Sequence, residues 1–357
     1  MPSSRSRAVT IREVARQAAV SVATVSRVLN ESGYFDEETG RRVREAVQAL
    51  GYRRNVHWQR LSADSSRTLC FLLGNRESLN SMQMRMLVAC EREAKDSGYD
   101  LVFSRFEYDT TAKANRLVLP RLLADHGLVD GAILIGRHAP NLLEALDANK
   151  MPWVALGNNF EGDFRKLHQN VLSYDEEAGC FEAAAYLIRQ GHRRIAFIGN
   201  ERWLWFRRRR LGYERALHQH GLTPLGITHN WGVSGVEYGR LAAAELLRAP
   251  EPPTAILAAN DELAAGVWKE LVSRGINIPR DISLCGFGDR EEFQILEPSL
   301  STIAVFPEKL GAELARLILA RLRQGGEPVE ASLHPCQLVE RASCAAPNSR
   351  IRKVAGK

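Results

Sequence analysis

The chain has 357 residues, which at roughly 150 residues per domain suits two or three units and excludes a single small core. A net charge of +6, with 25% charged and 45% hydrophobic residues, describes a chain able to bury cores and excludes a largely disordered protein. No stretch nears the roughly 18 apolar residues of a membrane helix, and Met1 to Arg7 has charge with no apolar run behind it, so neither membrane insertion nor secretion is expected.

The six cysteines (Cys70, Cys90, Cys180, Cys285, Cys336 and Cys344) are scattered, without a CxxC pair or a nearby histidine at ligand spacing. They read as small hydrophobes in a reducing compartment, and no metal site, cofactor or disulfide frame is expected. The charge is unevenly placed: residues 1–61 hold eleven arginines against six acids, a surplus of five. A basic head on a near-neutral body suits a protein that delivers one module to a polyanion.

In chain order, Thr10-Ile11-Arg12-Glu13 has the pattern of a capping box, which predicts a helix from Ile11 with Ile11, Val14, Ala15 and Ala18 on one face. After the short Ala19-Val20 turn, Ser21 can cap a second helix with Val22, Val25, Val28 and Leu29 inward. Ala23, Thr24, Ser26, Arg27 and Asn30 then face outward. A third helix starts at Asp36, turns Val43, Ala46, Val47 and Leu50 inward, and stops at Gly51. Any small three-helix bundle shares this periodicity. The basic charge and the small, polar outer face of the second helix favour a helix-turn-helix head, because a recognition helix must approach base edges closely.

The run TIREVARQAAVSVATVSRVLN and the residues on to Leu61 resemble the DNA-binding head and hinge of LacI-type bacterial transcriptional repressors, with VSVATVSRVLN as the most specific stretch. The resemblance implies that Val22, Ala23 and Arg27 read the major groove, within a DNA-binding set completed by Thr10, Ser21, Thr24, Ser26, Asn30 and Tyr52. Asn55, Trp58 and Leu61 match the family's hinge helix, which orders on operator DNA and wedges its leucine into the minor groove. The chain departs from the pattern at Arg54 (usually Pro), Trp58 (usually a small Ala) and Gly40 (usually Arg).

Ser62 to Arg67 is short and polar, as a linker would be. Beyond it, apolar runs recur about every thirty residues, each followed by a helical stretch. Leu69–Leu73, Leu101–Phe103, Ala132–Ile135 and Trp153–Leu156 form one group. Ile195–Ile198, a weaker segment at Ile227, Ala255–Ala258 and Ile282–Leu284 form a second. Gly98, Gly191, Gly221 and Gly275 stand where helix C-caps would fall. Alternation at this period means parallel sheets with helices on both faces, and two groups mean two lobes.

Residues 174–199, 209–217, 255–266, 275–289 and 298–305 resemble the LacI-type effector domain, which has the two-lobed fold of periplasmic sugar-binding proteins (type I). The expected organisation is an all-α head over 1–61 with a hinge at about 55–61, a linker at 62–67, an α/β effector-binding and dimerisation domain over 68–346 and a basic tail at 347–357. The N-terminal lobe is expected over about 68–160 plus 302–328, the C-terminal lobe over about 161–301 plus 329–346. The family carries its effector between the lobes, at the carboxyl ends of strands, where parallel sheets bind ligands.

Mapped residue by residue, the cleft arginine is Arg209, and the Asn-Asp after the seventh strand is Asn260-Asp261. The Phe-Asp-Asp run is Phe287-Gly288-Asp289, and a common aspartate is Gly157, followed by Asn158. Asn80 and Gln83 are expected from the N-terminal lobe. With Gly157 and Gly288 replacing acids, Arg209 is expected to lack protein counter-charge and to favour a ligand bearing a carboxylate, a phosphate or a dense hydroxyl set. Of the Arg207–Arg210 run only Arg209 is singled out, the others reading as solvated surface. Trp203, Trp205 and Phe206 fall in a mouth loop and Trp231 in another. They serve either core packing or stacking on a ring, for which Trp205 and Trp231 are the candidates. His218 and His220 read as surface residues.

The function this implies is a cytoplasmic, homodimeric regulator that binds a pseudo-palindromic duplex and responds to a small effector, a sugar or a related polar metabolite. The tail lacks the sustained heptads of an oligomerising coiled coil, which favours a dimer over a tetramer. One alternative is a ligand sensor of the same fold with a degenerate head, against which the intact VSVATVSRVLN run argues. Another is an α/β enzyme with a DNA module, for which there is no phosphate-binding loop, nucleophile elbow or metalloprotease helix.

Overall fold

The computed structural model describes residues 9–30, 33–52, 65–162, 169–330 and 333–348, and the chain divides into two compact units, Met1–Ser65 and Ser66–Lys357. In the first, α1 (Ile11–Gln17), α2 (Val22–Asn30) and α3 (Glu37–Leu50) pack together. Thr10 and Glu13 form the expected capping box, the Glu13 carboxylate accepting the Thr10 N–H at 2.7 Å. Ser21 Oγ accepts the Thr24 N–H at 3.0 Å, and Asp36 accepts that of Thr39 at 2.8 Å. Gly51 ends α3 in the left-handed conformation, φ 60°, that costs glycine least.

Val14, Val25 and Val43 are fully buried in the small core between these helices. Val22, which helical spacing places inward, is instead 41% exposed. It stands at the first position of α2, past the edge of the core that Val25 and Val28 fill.

The second unit begins with the N–H groups of Ser66 and Arg67 both donating to the Asp130 carboxylate, at 2.6 and 2.9 Å. The last two residues of the expected linker are therefore anchored to the body. The chain then runs through β1 (Thr68–Gly74), α4 (Ser81–Asp96), β2 (Asp100–Phe106), α5 (Arg121–Ala124), β3 (Gly131–Gly136), α6 (Pro140–Ala148), β4 (Trp153–Leu156) and β5 (Val171–Tyr174). It continues with α7 (Glu176–Arg189), β6 (Ile195–Ile198), α8 (Leu204–Gln219), β7 (Leu225–Ile227), α9 (Gly235–Leu246), β8 (Ala255–Ala258), α10 (Asp261–Ser273), β9 (Ser283–Gly288) and β10 (Ser301–Ala304). The last elements are α11 (Pro307–Arg323), β11 (Leu333–His334) and β12 (Gln337–Val339).

Among the described residues two six-stranded sheets result, ordered β11-β5-β4-β3-β1-β2 and β12-β10-β9-β8-β6-β7. Their strands pair in parallel apart from β10 with β12. Every residue of β1, β3, β4, β5, β6 and β8 is buried, as strands covered by helices on both faces must be. In each sheet the order reverses beside the first strand, between β1 and β3 and between β6 and β8. Ligands of open parallel sheets bind beyond the carboxyl ends of the strands at such reversals.

The chain crosses between sheets after β5, after β10 and between β11 and β12. Residues 171–174 therefore lie in the first sheet and 301–304 in the second, each about one strand away from the expected lobe limits at 160 and 301. A strand's own apolar run does not state which sheet it joins. The helix α11 returns to the first lobe, where Gly311 O accepts the Cys90 thiol of α4 at 3.0 Å. In the second lobe α7 and α8 approach closely at Gly212, where a Cβ would stand 2.0 Å from Glu177 O.

Candidate functional site

On the head, Val22, Ala23 and Arg27 are exposed on α2, with Thr24 and Ser26 half-buried. Ser21 and Thr24 hydroxyls hold each other at 2.8 Å, so the start of the helix is rigidly capped and its outer side carries short side chains plus one arginine. Thr10 is exposed and occupied in capping α1. Asn30 is the last residue of α2. Tyr52 packs on the head core just after α3, its N–H bonded to Val47 O at 3.0 Å. Asn55, Trp58 and Leu61 lie outside the described residues.

The body contains a cleft of about 440 Å³ that opens at both strand-order reversals. Asn75 and Arg76 enter it directly after β1, Arg137 after β3, Asn200 after β6 and Asn260 after β8. The second lobe adds an aromatic wall from the start of α8. Trp203 and Trp205 stack with centroids 4.9 Å apart and planes 15° apart, and Phe206 sits edge-on to Trp205. The Arg137 guanidinium reaches across from the first lobe to 4.9 Å from the Trp203 ring, a favourable cation–π distance. Asn260 also caps α10, accepting the Leu263 N–H at 2.8 Å.

Of the residues expected here, Trp205 and Asn260 line the cleft. Both Trp203 and Trp205 belong to the start of α8, Trp203 as its cap, so the expected mouth loop is already helix. Asn80 and Gln83 do not line the cleft. They cap α4 reciprocally, Asn80 Oδ1 accepting the Gln83 N–H at 2.9 Å and Gln83 Oε1 that of Asn80 at 3.1 Å. Asn158 is fully buried, bonded to the backbone of Tyr174 at 2.8 and 3.0 Å and to Glu176 at 2.9 Å. Asp289 pairs with Arg341 at 2.7 Å. Trp231 packs on Tyr238, centroids 5.0 Å apart.

Arg209 is buried beneath the site and does not lack counter-charge. It donates to Ala259 O at 2.6 Å and to the Tyr174 hydroxyl at 3.2 Å, lies 3.6 Å from Glu176 and rests 3.9 Å over the Phe287 ring. Burial opposes its charge, but Tyr174 and Glu176 outweigh it and hold its pKa above the ordinary arginine value. Of the neighbouring arginines, Arg207 is exposed as expected, whereas Arg208 pairs with Glu176 and Arg210 with Glu201 and Glu214. Asp261, next to Asn260, is buried and turned away, receiving the Thr302 hydroxyl at 2.6 Å and the Arg290 N–H at 2.8 Å.

Two family descriptions match the chain: "Bacterial regulatory proteins, lacI family" over residues 10–55 and "Periplasmic binding protein-like domain" over residues 184–344. The HTH-type transcriptional regulator AscG of Escherichia coli (strain K12) is 31% identical, covering 95% of this chain and 99% of its own. The chain belongs to the LacI family of bacterial regulatory proteins. The probable HTH-type transcriptional repressor ExuR of Bacillus subtilis (strain 168) is 29% identical over 94% of this chain and 98% of its own. A lac repressor dimer solved with operator and the anti-inducer ONPF superposes with a TM-score of 0.80 at 25% identity, over 95% of this chain and all of that one.

This LacI-family chain is thus a DNA-binding transcriptional regulator with a two-lobed, periplasmic-binding-protein-like body. Among its described residues no helix is long and apolar enough to cross a membrane, and no group of acidic, histidine or cysteine side chains is placed to hold a metal ion. Sequence reading passed over Asn75, Arg76, Arg137 and Asn200. Each lies within two residues of the carboxyl end of a strand, and the strand-end rule applied to the predicted runs at 69–73, 132–135 and 195–198 finds them.

Proposed function

We infer that this LacI-family protein is a cytoplasmic repressor that binds a pseudo-palindromic operator as a homodimer and changes its operator affinity when a small polar metabolite occupies the cleft. The observation that carries the DNA half is α2: a capped helix with Val22, Ala23 and Arg27 exposed. Arg27 supplies a hydrogen-bonding and charged contact, while Val22 and Ala23 are too short and apolar for bidentate bonds and offer van der Waals contact, for example to thymine methyls. A two-fold dimer presents two such helices to successive major-groove faces, which a symmetric site mirrors. The solved lac repressor on operator is itself a dimer, which supports this assembly.

The effector half rests on the cleft, whose Trp205 and Asn260 come from one lobe and whose Asn75, Arg76 and Arg137 come from the other. A ligand that touches both lobes distinguishes open from closed arrangements and so can shift the head's partner preference. Arg209 and Asn158 are buried against Tyr174 and Glu176 and do not line the cleft.

Selection from random duplex DNA is the direct test. A symmetric consensus is expected, with Arg27→Ala reducing preference for it and the affinity falling steeply with salt as arginines displace counterions. Enrichment of no symmetric site would leave the sensor with a non-functional head as the better description.

A further inference from the structure

The first-lobe wall of the cleft carries more positive charge than the described residues compensate. Arg76 has a buried Nε with no hydrogen-bond partner, and its guanidinium forms no ion pair among the described residues. Burial lowers its pKa, and the like charges of Arg137 and Arg290 lower it further against the opposing pull of Glu262. The Arg137 Nε is also buried without a hydrogen-bond partner, and among the described residues the carboxylate facing it is Glu161, at 3.9 Å, the edge of contact. Asn75 Nδ2 is a third unpartnered buried donor on the same wall.

The carboxylates nearby do not fill this role. Glu262 is engaged by Arg290 at 3.5 Å, and Glu77 is exposed at the rim. Donors that converge without an acceptor match a ligand that brings its own, and guanidinium forks match the planar or tetrahedral oxygens of a carboxylate or phosphate. The stacked Trp203 and Trp205 on the opposite wall offer a flat apolar face to the body of such a ligand. A cleft of about 440 Å³ falls in the range that holds a sugar-sized molecule.

We propose that the effector is an anionic, hexose-sized molecule whose carboxylate or phosphate group is held by Arg76, Arg137 and Asn75. This rests on the cleft being the effector site. A neutral sugar leaves the Arg76 charge uncompensated and leaves buried donors without strong acceptors, so charge is the selective feature.

The test uses the full chain, with thermal unfolding and calorimetric titration against glucose, galactose and mannose, the corresponding uronates and the corresponding 6-phosphates. At least one anion is expected to bind roughly tenfold or more tightly than its neutral parent, and the arm that responds identifies carboxylate or phosphate as the group. Arg76→Met and Arg137→Met are each expected to weaken that anion by roughly tenfold or more. Arg76→Met should melt no lower than the wild type when empty, having no ion pair to lose.

A neutral sugar that binds as tightly as its acid or phosphate overturns the proposal on wild-type protein alone. So does an anion whose affinity is untouched by Arg76→Met, and so does silence from every compound in the panel. Operator binding in a deproteinised, low-molecular-weight cell extract separates the two levels. A response to the extract with a silent panel removes the anion and keeps the effector cleft; no response to either removes both.

Discussion

Glu176 shows how a single acid can hold a buried polar cluster together. Its side chain is 3% exposed, takes the Arg208 guanidinium, faces Arg209 at 3.6 Å and accepts Asn158 Nδ2 at 2.9 Å. Removing one member of a buried ionic group strands the others, so Glu176→Ala is expected to cost about 3–5 kcal/mol in urea unfolding of the body. An unchanged midpoint would mean that water replaces the carboxylate. His138 makes a second case at this scale. It is buried beside Gly74, its Nε2 2.9 Å from Ile135 O, and burial pushes its pKa down from 6.5 to about 4. Below pH 6.5 the unfolded chain binds a proton that the folded ring refuses, so this stabilisation is complete above about pH 6.5 and is lost progressively towards pH 4. Between pH 7.5 and 5 the loss is about 2 kcal/mol. His138→Gln keeps a donor for Ile135 O and is expected to flatten the urea-derived stability profile across that window by a similar amount.

At the scale of elements, helix contact is set by what the smallest residues permit. Gly212 lets α8 lie against the backbone of α7, with a Cβ placed 2.0 Å from Glu177 O. Because the obstacle is backbone and cannot rotate away, Gly212→Ala should push the helices apart and cost about 1–3 kcal/mol by the same unfolding measurement. It should also weaken ligand binding, since α8 carries Trp205. Much of this level was legible in the sequence. The runs at 195–198 and 255–258 are strands to the residue because parallel strands are buried on both faces and read as continuous apolar segments. The capping box at Thr10 and the left-handed glycines at 98, 191, 221 and 275 are local devices and need no tertiary context. What escaped was non-local. The sheets to which 171–174 and 301–304 belong depend on partners far along the chain, and the two-residue β11 carries no pattern of its own. Register with Gly212-Tyr213 singles out Arg209, yet its direction depends on Glu176 and Phe287 packing against it from other elements. Arg76 and Arg137 carried no periodic signal; only their position just past a strand marked them.

At the scale of the whole molecule, the cleft walls belong to lobes joined by the crossings after β5, after β10 and between β11 and β12, so closure moves one sheet against the other. The first lobe also receives the chain from the head side, where Ser66 and Arg67 are anchored to Asp130. A ligand changes the balance between arrangements only through contacts that differ between them. Contacts made wholly by the first lobe, such as those of Arg76, persist whether the cleft is open or closed; they set how much ligand is needed. If the effector occupies the cleft as proposed, contacts to Trp205 would form as the second lobe closes and would set how far saturating ligand shifts operator affinity, a factor of roughly 5 to 150 in coupled systems of this kind. Arg76→Met is therefore expected to raise the half-saturating effector concentration while preserving the maximal change in operator affinity. Trp205→Ala is expected to shrink that maximum even at saturation. Operator titrations across a full range of effector concentration separate the two effects. The reverse pattern, a smaller maximum for Arg76→Met and a full one for Trp205→Ala, would mean that the ligand docks first on the aromatic wall and that the arginines close over it.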